Sequence, residues 1–195
     1  MSPGRTNTRD IARAAVRAEL ALVAFDLFRR KGFDKVTIDD VAEAAGVSRS
    51  TFLRYFGTKE DAVLSAFESK SERVAAALRA RPADEDDWTA LRHAMDHAIA
   101  SYADAPDEAL AVARLVRGTP ALRARQLEKM HAWRPALAQA LAERAGTGTP
   151  SVAHWVRASA ALDCFSVGVD HWVDSDGGLD LIELLDEAFA ALAPR

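Results

Sequence analysis

The sequence predicts an all-α protein of about nine helices, and three observations predict it. Hydrophobic residues make up 49% of the 195 residues, with Ala and Leu prominent among them. Gly and Pro number only 10 and 7 and gather at legible turns, so long stretches lack helix breakers. Between those turns the apolar residues recur at helical spacing rather than alternating, which leaves almost no room for strand.

Charge and cysteine usage narrow the class. The net charge is -4, yet Met1 to Lys59 holds 11 Lys and Arg against 7 Asp and Glu. The remainder holds 14 basic against 22 acidic residues. A basic head on an acidic body suits a module that meets a polyanion while its bulk is repelled from it. One cysteine, Cys164, excludes an internal disulfide. The start MSPGRTNTRD lacks an apolar run for a signal peptide, and charges interrupt every stretch long enough to span a bilayer. A soluble, cytoplasmic chain with no membrane association is expected.

In order along the chain, Leu20, Val23, Ala24, Leu27 and Phe28 imply a first helix, stopped by Arg29-Arg30-Lys31 and Gly32. Thr37 can cap a second, with Asp39 and Asp40 in its first turn, that ends at Gly46. Ser48 caps a third carrying Phe52 and Phe56 one turn apart. Thr58 opens a fourth through Val63, Phe67, Val74 and Leu78 to about Arg81. Turns at Pro106, Gly118-Thr119-Pro120, Gly146 to Pro150 and Asp176-Gly177-Gly178 then separate five more. These run over roughly 86–103, 106–117, 121–145, 151–174 and 179–192. The expected division is a three-helix head at residues 1–58 and a helical body at 59–195.

The two short helices are too short to stand alone and must pack on their neighbours through Val41, Ala42, Ala45, Val47, Phe52 and Phe56. Arg49, Ser50, Thr51, Leu53, Arg54 and Tyr55 remain on the outer surface. A Gly-containing turn followed by a donor-rich helix is the helix-turn-helix plan for entering the major groove. An ordinary helical hairpin with a solvated face is the other reading of that pattern.

The run TIDDVAEAAGVSRSTFLRYFGTKEDAV, preceded by FRRKGFDKV, resembles the amino-terminal DNA-binding domain of the TetR family of bacterial transcriptional regulators. The match covers about Ala18 to Val63. The resemblance implies a homodimer whose carboxy-terminal helices bind a small molecule. It also implies that Arg49 and Ser50 read base edges of double-stranded operator DNA and that Thr51, Tyr55 and Lys59 hold phosphates. A bidentate Arg49–guanine contact is worth roughly 1 to 3 kcal/mol of discrimination. Thr37, at a helix amino end, can present its hydroxyl and amides to a phosphate. The sequence departs from the family at Leu53, where Tyr is usual, and at Arg54, where His is common. Leu53 either touches a thymine methyl or packs, and Arg54 is assigned to the DNA backbone. Arg5, Arg9 and Arg13 form either a minor-groove arm or a solvated tail.

The body carries no catalytic or phosphate-loop motif, so an enzyme is not expected, and no cofactor. His93 and His97 lie one turn apart but lack the Glu that a zincin places after the first His, so no metal is expected. Cys164 reads as core packing. Leu91, Met95, Ile99, Tyr102, Leu115, Met130, Trp133 and Leu137 form stripes that are either plain core or the lining of a cavity for an apolar effector. Around them Arg114, Arg117, Arg123, Arg125, Lys129 and Arg134 form either a solvated face or a seat for an anionic head group, as on an acyl-coenzyme A. The carboxy-terminal part also resembles the mycofactocin-type TetR regulators. Trp155, Leu162, Phe165, Val169 and Trp172, with Leu181, Leu184, Leu185 and Phe189, are expected to pair with a second subunit in a four-helix bundle. The reading is a repressor released from its operator by ligand. The rival is an all-helical ligand-binding or scaffold protein whose helix-turn-helix no longer works on DNA.

Overall fold

The structure, a computed structural model, describes residues 8–65 and 70–193. Among them every regular element is helical. The chain divides into two compact units between Ser65 and Ala66. The boundary thus lies later than the expected 58/59, because the helix opened by Thr58 packs on the first helix of the chain.

The first unit comprises α1 (Thr8–Lys31), a 3₁₀ turn (Phe33–Lys35), α2 (Ile38–Ala44), α3 (Arg49–Tyr55) and α4 (Lys59–Val63). Each short helix starts where a side chain can satisfy its orphan amides. The Thr37 hydroxyl accepts from Asp40 N at 3.2 Å while the Asp40 carboxylate accepts from Thr37 N at 2.7 Å, a reciprocal cap. Ser48 accepts from Thr51 N at 3.1 Å, and Thr58 from Asp61 N at 3.1 Å. Helix α2 ends on Gly46 at φ 65°, and Val47 N donates to Ala42 O at 2.9 Å, the left-handed ending that a β-carbon disfavours. Leu20, Ala24, Leu27 and Phe28 of α1 and Val41, Phe52, Phe56 and Leu64 belong to the buried core of this unit.

The second unit comprises α5 (Lys70–Ala80), α6 (Asp87–Ala94), α7 (Asp96–Asp104), α8 (Pro106–Gly118), α9 (Pro120–His131), α10 (Arg134–Arg144), α11 (Val152–Asp174) and α12 (Leu181–Ala190). Helix α10 packs between α5 and α11, and α12 lies along α11. There Gly168 admits Leu185, whose Cδ2 would come within 3.1 Å of a β-carbon. Two arginines fasten the bundle. Arg144 donates to the carbonyls of Leu78, Arg81, Pro82 and Glu85 at 2.9 to 3.3 Å, closing the end of α5 and the turn beyond it. Arg92, on α6, reaches Asp96 and Asp186 at 2.6 Å each and Ile182 O at 3.3 Å, tying α6 to α12. Trp88 Nε1 adds a bond to Phe189 O at 2.9 Å.

Three of the nine expected helices are each described as two segments. The run at 86–103 breaks at Met95, which caps α6 and begins α7 at φ -65°, ψ -18°. The run at 121–145 breaks at Ala132 and Trp133, just before Pro135, whose ring is tolerated only in a first turn. The fourth leaves helical geometry at Leu64, with φ -91° and ψ 11°. It resumes at Lys70, and the part of that expected helix at 66–69, including Phe67, lies outside the described residues.

Candidate DNA-binding face and ligand cavities

Helix α3 turns Phe52 and Phe56 inward, fully buried with ring centroids 5.3 Å apart. That fixes what faces out: Arg49, Ser50, Leu53 and Arg54 are exposed, Thr51 and Tyr55 half-buried. Arg49 Nη1 lies 2.7 Å from Asp39 Oδ2, an exposed pair between α2 and α3. Such a pair is worth about 0 to 1 kcal/mol, less than a bidentate guanine contact, so it positions the guanidinium without locking it away. Ser50 Oγ sits 3.0 Å from Ser48 Oγ, and Ser48 Oγ donates to Thr51 Oγ1 at 2.9 Å. Leu53 is outward at 37% exposure rather than packed. The Arg54 guanidinium lies 5.8 Å from the Tyr55 ring centroid.

Three expectations change here. Thr37 gives both its N–H and its hydroxyl proton to Asp40, and these bonds hold the Asp40 carboxyl below its usual range. Its part is therefore to cap α2. Lys59 Nζ donates to Phe33 O at 2.9 Å and Val36 O at 3.1 Å and lies 4.2 Å from the Phe33 ring centroid. Two of its three N–H bonds thus point inward, away from any phosphate. Arg9 and Arg13 are helical residues of α1 rather than an arm, and they share a groove with Val16, Arg54 and Tyr55. Arg5 lies outside the described residues.

Two cavities of the second unit border Tyr102. One, of about 280 Å³, lies among α5, α7, α8 and α9 and is lined by Lys70, Tyr102, Val112, Val116 and Gln126, with the exposed Asp104 and Glu108 at its mouth. The other, of about 290 Å³, is lined by Ile99, Tyr102, Pro106, Trp172 and Leu181. Tyr102 stands between them, its ring edge-on to Trp172 at 5.4 Å. Of the eight residues expected to meet a ligand, only Ile99 and Tyr102 line either cavity. Leu91, Met95, Met130, Trp133 and Leu137 are buried in the packed core, and Leu115 is half-buried. Helical spacing identifies an inward stripe but not which part of it borders empty space.

Sequence reasoning missed Lys70, which is 3% exposed. Its Nζ donates to Ala98 O at 2.9 Å and Ser101 Oγ at 3.0 Å and lies 4.8 Å from the Tyr102 ring centroid. Burial lowers its pKa to about 8, with Arg73 adding repulsion. A signal was present, since Lys70, Val74 and Leu78 fall four residues apart on one stripe.

The basic cluster is largely neutralised within the subunit. Arg114 pairs with Asp176, Arg117 with Asp174, and Arg123 lies 3.6 Å from Asp170. Arg125 lies 2.6 Å from Glu128. Like the Arg49 pair these are exposed and worth about 0 to 1 kcal/mol each, so they position the guanidiniums without locking them away. His93 Nδ1 lies 3.0 Å from Glu85, whose carboxyl is held low first by Arg81 and then by His93. Cys164 is buried, its thiol directed at Ala188 O at 3.5 Å, and burial raises its pKa, as suits packing rather than reactivity.

Most of the residues expected to meet a second subunit from α11 and α12 face inward. Leu162, Phe165, Val169, Trp172, Leu181, Leu185 and Phe189 are buried within the subunit, and Leu184 is half-buried. The outward apolar residues are Val152 at 80% and Val156 at 61% exposure, with Trp155, Val167 and Ile182. Both faces of α11 are apolar in sequence, and only its packing partners decide which is inward.

A capped α2, a left-handed turn at Gly46 and an outward donor surface on α3 define a protein of the helix-turn-helix class. Residues 20–66 match the bacterial regulatory proteins of the tetR family, and residues 85–195 match the MftR C-terminal domain. The chain belongs to the TetR family of transcriptional regulators. It is 32% identical to the HTH-type transcriptional regulator TcmR of Streptomyces glaucescens over 136 residues, 67% of this chain and 60% of that protein. It is 29% identical over 176 residues to the putative mycofactocin biosynthesis transcriptional regulator MftR of Mycobacterium tuberculosis, 86% of this chain and 84% of that one. Among solved structures, the FadR repressor of Thermus thermophilus in complex with lauroyl-CoA superposes with a TM-score of 0.55 at 24% identity, covering 90% of this chain and 92% of that one. These relatives are regulators rather than enzymes. No helix among the described residues is long and apolar enough to cross a membrane.

Proposed function

We propose that this protein is a cytoplasmic, homodimeric repressor that binds operator DNA through α3 and releases it when a small apolar molecule enters the second unit. The observation that carries the reading is the division of α3: Phe52 and Phe56 anchor it, leaving Arg49, Ser50, Leu53 and Arg54 outward. In this reading Arg49 and Ser50 meet base edges, Leu53 a thymine methyl, and Thr51, Arg54 and Tyr55 the phosphates. Arg9 and Arg13, in the groove beside Tyr55, extend the phosphate track. Lys59 and Thr37 act from behind by holding the 3₁₀ turn and α2. Val152, Trp155, Val156 and Val167 supply the face that a second copy covers, with Ile182 from α12. Cavities lined by apolar side chains and a few polar groups are the form a small-molecule site takes, and the acyl ligand of the FadR neighbour supports an apolar effector in general terms.

A mobility-shift assay on DNA flanking the protein's own gene tests the reading. Retarded DNA that resists competition by random sequence is expected, with one dimer per site. Equal competition by operator and random DNA would leave a ligand-binding protein with a non-working head.

A further inference from the structure

The cavity behind Tyr102 is polar at one end and apolar on the opposite wall. At the ~30 Å³ that each water occupies in the liquid, about 280 Å³ holds on the order of ten non-hydrogen atoms. The neighbouring cavity, beyond the Tyr102 ring, would roughly double that only if the ring moved.

Its polar end is built from donors. Lys70 is 3% exposed, and its Nζ is fixed by Ala98 O and Ser101 Oγ. The Tyr102 side chain is 8% exposed, and its hydroxyl has no hydrogen-bond partner among the described residues. A hydroxyl left in that state at the cavity wall can donate to whatever enters. The opposite wall, Ala109, Val112 and Val116, is apolar. Resting on the ligand-responsive reading above, we propose that the effector is a small monocarboxylic acid with an apolar body, its carboxylate set against the Lys70 ammonium and the Tyr102 hydroxyl.

The charges around the cavity sharpen the choice. Asp104 and Glu108 at the mouth are exposed carboxylates, which repel a polyphosphate far more than a single carboxylate. Inside, an anion offsets the desolvation that burial imposes on the Lys70 ammonium. Among the described residues, the charged and titratable groups lining the site or coupled to Lys70 include Arg73 on α5, Tyr102 and Asp104 on α7, and Glu108 on α8. Burial brings the Lys70 amine down to about 8. Carboxylate affinity should therefore be flat below pH 8 and fall by up to tenfold per unit above it, as the amine loses its proton.

The test is calorimetric titration of the full chain with benzoate and hexanoate and with their primary amides, benzamide and hexanamide. Each carboxylate is expected to bind at one site per subunit at least tenfold more tightly than its amide. Lys70→Met, which keeps the unbranched length, should abolish that preference while leaving the amides unchanged. Tyr102→Phe, which removes only the hydroxyl, should weaken the carboxylates several-fold. Equal binding of acid and amide by the wild type would overturn the inference. So would no binding of either acid up to millimolar concentration, or a preference that survives Lys70→Met. The operator shift assay run beside it separates the two readings. Retained operator binding with failed acid binding removes only this inference, whereas lost operator binding removes the regulator itself.

Discussion

Replacing Lys59 by Met separates two roles that one side chain could play. The wild-type ammonium makes two charge-assisted bonds, to Phe33 O at 2.9 Å and Val36 O at 3.1 Å, and rests 4.2 Å from the Phe33 ring centroid. Bonds to a charged group contribute about 1.5 to 3 kcal/mol each when well buried, and a partly exposed cation–π contact adds about 0.5 to 1 kcal/mol. Lys59 is only half-buried, and Phe33 O also accepts from Val36 N at 3.4 Å. Water can therefore replace part of what is lost, so the net cost should be about 2 kcal/mol. Urea unfolding followed by circular dichroism would show it as a lower midpoint at unchanged slope. The slope of log affinity for DNA against log salt should stay the same, because a residue that bonds inward releases no counterion. An unchanged midpoint together with a salt slope reduced by about one would refute the reasoning and return Lys59 to the phosphate contacts.

Arg49→Ala should weaken operator binding by roughly 1 to 3 kcal/mol and leave random DNA nearly unaffected in competition shifts; equal losses would deny Arg49 a base. Arg13→Ala and Tyr55→Phe should weaken both kinds of DNA, and Arg13→Ala should reduce the salt slope by about one. Filling the second cavity with Ile99→Trp should give a folded dimer with altered operator affinity and a blunted response to effector; wild-type behaviour in both would place the site elsewhere. Val156→Glu should sediment as a monomer, since it puts a charge in the face assigned to the partner. Between pH 8 and about 10.5 the wild type should gain stability relative to Lys70→Met. Burial lowers the folded pKa of Lys70, so over that range the unfolded chain holds the extra proton and rising pH favours folding.

Local chemistry made the head legible. Thr37, Ser48 and Thr58 each sit where a helix needs a cap, Gly46 sits where the chain must turn left-handed, and Phe52 and Phe56 repeat at one helical turn. Those are interactions between residues within a few positions of each other. What escaped depends on partners far along the chain. Lys59 bonds to carbonyls more than twenty residues earlier, and its neighbours in sequence give no hint of this. The break at Met95 has no Gly or Pro to announce it. The apolar residues of α11 cover two faces, and nothing in their spacing tells Phe165, which is buried, from Val167, which is not. The cavities were hardest to read, because a void is defined by side chains on four helices that fail to meet.

The four carbonyls held by Arg144 have a mechanical meaning. They pin the far end of α5 and the turn after it, so that end is a fulcrum. The other end carries Lys70, about 15 Å away at 1.5 Å per residue. A ligand that draws the Lys70 side chain toward Tyr102 cannot translate the helix without stripping those four bonds, but it can swing it. A rotation of about 5° at the Arg144 end moves the Lys70 end by roughly 1.3 Å, on the scale of the helix shifts through which switching proteins act. On the ligand-responsive reading proposed above, helix α5 is a lever arm anchored by Arg144 at one end and pulled at the other.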